Sequence, residues 1–177
     1  YFSCFDDPMG DATGAGAIFG TTGGVMEAAL RTAADILEGK NLEKIEYEQV
    51  RGEEGIKKAT LDIKGQKIKI VVASGLKNAR KIMDEIKSGK ADYQFVEIMA
   101  CPGGCIMGGG QPIKSSKIRS TVDVRKLRAD SLYSIDEASA IRKSHQNPTI
   151  INLYKEFLEK PGSKIAHKYF YFLSFDI

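Results

Sequence analysis

Long apolar runs, clustered basic residues and an even set of cysteines are all missing from this chain of 177 residues. No stretch approaches the ~20 consecutive apolar residues of a membrane helix, so no span is expected, and no signal peptide is visible. The lysines are dispersed and the net charge is only +3, which argues against nucleic acid as a partner. Three cysteines cannot close into a disulfide framework. An odd thiol count fits a reducing, cytoplasmic setting in which thiolates stay available to metal. At 42% hydrophobic residues the chain can bury a core, enough for one domain or one domain with an appendage.

The pattern along the chain is α/β. Asp7-Pro8 and the glycines at 10, 14, 16 and 20 make the first twenty residues loop-like. Gly14-Ala-Gly16 is a weak dinucleotide signal, because no βαβ unit precedes it and the later spacing is wrong. A helix follows, capped by Thr21 or Thr22 and stopped by Gly39, with Val25, Ala28, Ala29, Thr32, Ala33 and Ile36 on its inner face. Its amino end directs partial positive charge at whatever the glycine-rich segment contacts, or is simply capped. Strand character is expected around Ile45 to Tyr47, then in a hairpin of 59–63 and 67–72 joined through Lys64-Gly65-Gln66. A second helix opens at Ser74-Gly75, carries Ala79, Ile82, Met83 and Ile86 on one stripe, and ends at Ser88-Gly89. Tyr93 to Met99 reads as a strand. From Val122 onward the chain reads as helical, over 124–132 and again from about Pro148, with Ile151, Tyr154, Phe157 and Leu158 inward.

The most informative stretch is Glu97-Ile-Met-Ala-Cys101-Pro-Gly-Gly-Cys105-Ile-Met-Gly-Gly-Gly110-Gln-Pro112. Of the nine residues from Pro102 to Gly110, five are glycine and one is proline. A loop that gives up so many side chains makes room for something, or brings backbone amides close to it. Two thiols in such a loop suit iron–sulfur ligation. The spacing alone also admits half a zinc site or two unrelated thiols. Glu97, in an apolar strand, must be paired or face solvent; a structural ion pair is expected, with proton carriage as the rival reading. His145 and His167 sit in polar helical surroundings and are expected to be surface or interhelix residues.

That string resembles the last cysteine motif of the FeFe-hydrogenases. Asp7-Pro-Met-Gly10 with Thr13 to Thr32, and Arg142-Lys-Ser-His-Gln-Asn-Pro148 with Leu153 to Leu158, resemble two further stretches of that family in the same order. The last resembles its small-subunit region. The resemblance runs from about Phe5 to His167 and implies a mixed β-sheet flanked by helices, followed by an all-helical tail. It divides the chain into 1–113 (C-terminal part of the large-subunit domain), 117–168 (small-subunit-like) and 169–177, an unassigned tail. It implies an H-cluster, a 4Fe–4S cubane joined to a two-iron subsite, with Cys101 on the cubane and Cys105 bridging both. Met99 would border the subsite, and Phe19 and Gly20 would form the opposite wall. By pattern alone Met99 is better read as core filler, and Phe19 could equally be a core aromatic. Met107 stands where the family often has a smaller or polar residue.

Family members hold the cluster by four cysteines in three motifs, and only the third motif is present in this chain. Cys4 reads as a non-ligand thiol, with a third metal ligand as the rival reading. The resemblance therefore implies part of an enzyme that interconverts protons, electrons and dihydrogen. Its expected partners are the remaining N-terminal part and a ferredoxin or attached iron–sulfur domain. The chain would be inactive alone, and a hydrogenosome or other organelle is the eukaryotic alternative to the cytoplasm. The rival class is a non-catalytic protein of the same fold, either sensory or a cytosolic iron–sulfur assembly factor.

Overall fold

Lys64 and Gly65 both take positive φ, 54° and 75°, the conformation that a two-residue hairpin turn requires. They join β1 (Ile56–Ile63) to β2 (Gln66–Ser74) in antiparallel register from Ile56↔Ala73 to Ile63↔Gln66. The chain then crosses through α3 (Leu76–Lys87) to β3 (Phe95–Met99), which pairs parallel to β2 from Ile70↔Phe95 to Ser74↔Met99. The result is a mixed three-stranded sheet in the order β1-β2-β3. The computed structural model describes residues 10, 12–43, 46–47, 50–51 and 55–166. The fold is α/β as expected, and no helix among the described residues is long and apolar enough to cross a membrane.

The central strand is buried on both faces. Ile70 and Val72 join Leu61 and Ile63 beneath Met26, Leu30 and Ala34 of α2 (Gly24–Glu38), with Tyr47 and Val50. Val71 and Ala73 point the other way, against Ile82 of α3. Alternate residues of one strand thus feed two layers.

Several expected faces are corrected. On α2, Val25 and Ile36 are 37% and 70% exposed, and the buried side carries Glu27, Arg31 and Asp35 beside the apolar residues. These charges are paired internally, so that side does not show as an apolar stripe. On α3 only Ile82 is fully buried, and Met83 and Ile86 are exposed. Residues 46–47 are not strand; Tyr47 closes a turn by accepting the Val50 amide at 3.1 Å. Ile45 lies outside the described residues.

After β3 the described elements are helical: α4 (Ser116–Thr121), α5 (Val124–Ala138) and α6 (Pro148–Leu153). The chain divides into two units, 13–144 and the remainder. Within the larger unit α5 packs on the short α1 (Gly14–Ala17) and on the 3-10 turn Ile18–Gly20. In the smaller unit Asn147 caps α6 by accepting the Thr149 and Ile150 amides, and Pro148 occupies the first helical turn. The helix then widens into a π turn at Tyr154–Leu158. This change of period separates positions expected to share a face: Leu158 is buried, while Ile151 and Phe157 are exposed.

Candidate metal centre

Strand β3 delivers the chain to the site. Its last residue, Met99, lies beside Ser74, and its carbonyl accepts the Gly75 amide at 2.7 Å. The parallel register puts the following residues at the carboxyl edge of the sheet, where α/β folds place ligands. Three successive turns then fold the loop. Cys101 O accepts Gly104 N–H at 3.0 Å, Gly104 O accepts Met107 N–H at 3.1 Å, and Cys105 O accepts Gly108 N–H at 3.0 Å. Both cysteines are free, exposed thiols.

Gly104 presses the loop onto the segment after α1. Its φ of 90° and ψ of −163° belong to a region open essentially to glycine alone. A Cβ there would lie 2.6 Å from Gly20 O and 2.8 Å from Thr22 N. Beside it, Thr22 N–H donates to Gly103 O at 3.2 Å. Gly20 and Cys105 consequently line one open cavity of about 590 Å³, with Ile106, Leu127, Arg128 and Leu132 among its other walls. A Cβ on Gly20 would lie 2.6 Å from Leu132 Cδ1. Cys101 and Phe19 are exposed and Met99 is half-buried, and none of the three lines this cavity.

Glu97 is buried, and among the described residues it makes no ion pair. Its Oε1 accepts Gly23 N–H at 2.7 Å and its Oε2 accepts Met26 N–H at 2.6 Å. The carboxylate caps α2, whose first amides have no intrahelical acceptor and whose dipole favours negative charge. Burial pushes the Glu97 carboxyl above its ordinary value, opposed by those two amides. The expected threonine caps are absent. Gly23 is the N-cap, Thr21 Oγ1 donates to Ile18 O at 2.8 Å, and Thr22 Oγ1 is buried without a hydrogen-bond partner among the described residues. The amino end of α2 is therefore occupied by Glu97 rather than turned toward an outside anion.

Arg128 of α5 carries no signal in the sequence, yet it touches the loop directly. Its Nη1 donates to Ile106 O at 2.8 Å and its Nη2 to Pro112 O at 2.7 Å. Met107, the odd residue of the loop, is exposed, with its sulfur 3.9 Å from Arg128 Nη1. His145 is half-buried; Cys4 and His167 lie outside the described residues.

Among the described residues no group of three or more His, Cys, Asp or Glu side chains could hold a metal ion. Cys101 and Cys105 are two soft donors, half of the four protein thiolates usual for a 4Fe–4S cubane. The surroundings fit such a body. A Cβ on Gly108 would come within 3.9 Å of Cys101 Sγ, and around Gly109 and Gly110 there is open space.

Residues 3–109 match the family model of the iron only hydrogenase large subunit, C-terminal domain, and residues 122–171 that of the iron hydrogenase small subunit. Iron hydrogenase 1 of Clostridium pasteurianum is 47% identical over 167 residues, covering 94% of this chain and 29% of its own. Cytosolic iron-sulfur assembly component 3 of Mus musculus is 31% identical over 150 residues, covering 84% of this chain and 30% of its own. A solved FeFe-hydrogenase, studied for oxygen inactivation at its H cluster 2Fe subcluster, is 38% identical with a TM-score of 0.66. The match covers 93% of this chain and 46% of that one. The chain thus spans under a third of the curated relatives named and under half of the solved chain.

Proposed function

The chain belongs to the iron-only hydrogenase family, and on that premise we propose that it forms the C-terminal part of a catalytic unit interconverting two protons and two electrons with dihydrogen. The observation that carries this reading is the meeting of Cys105 and Gly20 in one cavity, with Gly104 pressing the cysteine loop onto the Gly20–Thr22 backbone.

Cys101 and Cys105 would hold the H-cluster, Cys101 on the cubane and Cys105 shared with the two-iron subsite. When bound, that group supplies the iron at which dihydrogen is made or split and the path for its electrons. The chain's own residues bind and shape. A thiolate has spare lone pairs and can serve two soft metal centres. Met99 offers a polarizable sulfur that adds no charge. Gly20, lacking a Cβ, lets Leu132 close one wall of the cavity, and the exposed Phe19 would offer an aromatic wall outside it.

We assign residues 1–113 to the large-subunit part, 117–168 to the small-subunit-like part, and leave 169–177 unassigned. The remaining ligands would come from the rest of a longer hydrogenase, and electrons from a ferredoxin or attached iron–sulfur domain. A reducing compartment, the cytoplasm or a hydrogenosome, suits both thiolates. Two ligands of four leave the isolated chain without turnover. A second reading, a non-catalytic iron–sulfur protein, has in its favour the 31% identity to the assembly component.

Anaerobic reconstitution with iron and sulfide tests the ligand reading. A brown protein with broad visible absorption is expected, whereas zinc, with its filled d shell, gives none. Tight stoichiometric zinc with no iron–sulfur absorption would remove it. Hydrogen turnover by a longer polypeptide containing this segment separates the enzyme from the non-catalytic reading.

A further inference from the structure

The cysteine loop has few means of holding itself. Between Cys105 and Pro112 only Ile106 is buried, and Gly109 and Gly110 have no neighbours within reach of a Cβ. Each glycine widens the set of backbone conformations open to the segment. The two turn bonds, Met107 N–H to Gly104 O and Gly108 N–H to Cys105 O, are local and fix only its first half.

Arg128 supplies what the loop lacks. One planar guanidinium donates to Ile106 O at the near end and to Pro112 O at the far end, so the span between them is set by a rigid fork. The arginine is itself carried on a fixed element. Further along α5, Tyr133 Oη lies 3.3 Å from Thr21 Oγ1, and Asp136 makes a wholly buried pair with Arg31. The loop lies within or just beyond residues 3–109, whereas Arg128 lies within 122–171, the part matched to the small subunit.

We propose that Arg128 is a positioning residue for the Cys105 loop, so that the small-subunit-type segment sets the geometry of a metal-ligand loop in the large-subunit part. The metal role of Cys105 rests on the function proposed above; the clamp itself does not. Arg128 and Cys105 line the same cavity. The guanidinium fixes where the thiol is presented by holding the backbone that follows it, at Ile106 and at Pro112.

Amide hydrogen exchange on the iron-free 177-residue chain tests the clamp. Arg128→Ala should speed exchange at Met107 and Gly108 by about tenfold or more, since two hydrogen bonds that restrain the loop are lost. Val71 and Val72 in the central strand should keep their wild-type rates. Arg128→Lys, with one ammonium in place of a fork, should restore protection only in part, and Lys126→Ala, exposed on the same helix, should change nothing. Unchanged exchange at 107–108 in Arg128→Ala would overturn the proposal. So would an equal rise across the sheet, which would mark a merely structural arginine. Should Arg128→Ala not fold, Arg128→Lys decides: full protection at 107–108 overturns the clamp. Iron loading of the wild type is read separately, so a chain that takes no iron would sink the ligand reading and leave the clamp standing.

Discussion

Arg31 and Asp136 are 105 positions apart in the chain, yet Nη1 donates to Oδ1 and Nη2 to Oδ2, each at 2.8 Å, with both side chains wholly buried. Glu27 takes a further bond from Arg31 at 2.8 Å and two from Arg51, and Arg142 donates to Asp136 Oδ2 at 2.6 Å. Helix α5 is thereby tied to α2 by charge rather than by apolar contact alone.

Asp136→Ala should cost about 3–5 kcal/mol, because it leaves the Arg31 charge buried and under-compensated. Urea unfolding of the 177-residue chain measures it. Replacing both partners at once, Asp136→Leu with Arg31→Met, should cost less than the single change. Acid should reproduce part of the loss. Burial pushes the Asp136 carboxyl up, but the hydrogen bonds from Arg31 and Arg142 outweigh it, and its pKa is lowered in the fold. The folded value lies below the unfolded one near roughly 3.9, so its contribution is complete above that pH and is lost as pH falls through the folded value. Asp136→Ala should lack that part of the acid transition.

Gly104→Ala and Gly109→Ala form a matched pair. The first puts a methyl 2.6 Å from Gly20 O at a φ of +90°, whereas the second meets nothing within 4 Å. Gly104→Ala should lose about 1–3 kcal/mol and shift the amide resonances of 20–22. Gly109→Ala should stay within about 0.5 kcal/mol of wild type. Equal effects would mean that the loop does not sit on that backbone.

Thr22→Val tests a buried hydroxyl. Thr22 Oγ1 has no hydrogen-bond partner among the described residues, and Thr22 lines a cavity of about 40 Å³ with Gly103 and Tyr133. Removing the hydroxyl should leave thermal stability equal or raise it by about 1 kcal/mol. A clear loss would show that the oxygen is bonded.

Glu97→Gln should cost about 1–3 kcal/mol, since an amide can offer one oxygen to the Gly23 and Met26 N–H groups but turns its own N–H₂ toward the other. The weakening should appear as faster amide exchange at Gly23 and Met26 before it appears elsewhere. Retained protection at both would contradict the capping role.

Cys105→Ser should leave stability within about 0.5 kcal/mol, because the side chain is exposed. Iron bound after reconstitution should nevertheless fall sharply, serine oxygen being harder and far less acidic than a thiolate. Cys4→Ser should keep wild-type iron content. Equal losses in the two variants would mean that the ligand set is misassigned.

The hairpin was legible because Lys64-Gly65 sits between alternating runs, and so was the strand that leads into the cysteines. The inner face of α2 was not. Its charges are neutral in effect only because Arg51, Asp136 and Lys143 arrive from elsewhere in the chain. Periodicity weighs apolar residues and cannot see a partner supplied by the fold. Glu97 announced itself as a carboxylate in an apolar strand, but its partners are backbone amides, which every residue but proline has and no sequence marks. Arg128 gave no sign at all, since one arginine on a polar helix resembles any other. The cysteine loop was read from its glycines and thiols, whereas its contact with Gly20 depends on a tertiary approach.

The bonds from Arg128 to Ile106 and Pro112 also impose a timetable. Synthesis runs from the amino end, so Cys101 and Cys105 emerge before the helix that restrains their loop. The hairpin and α3 can form from neighbouring residues, but this restraint must wait for residue 128 to be made and α5 to dock on α2. Until then the strip that carries the two thiols has only its own turns and the Gly20–Thr22 backbone to hold it. Restraint of the loop is therefore an event of the finished α5 rather than of the nascent segment that carries the cysteines.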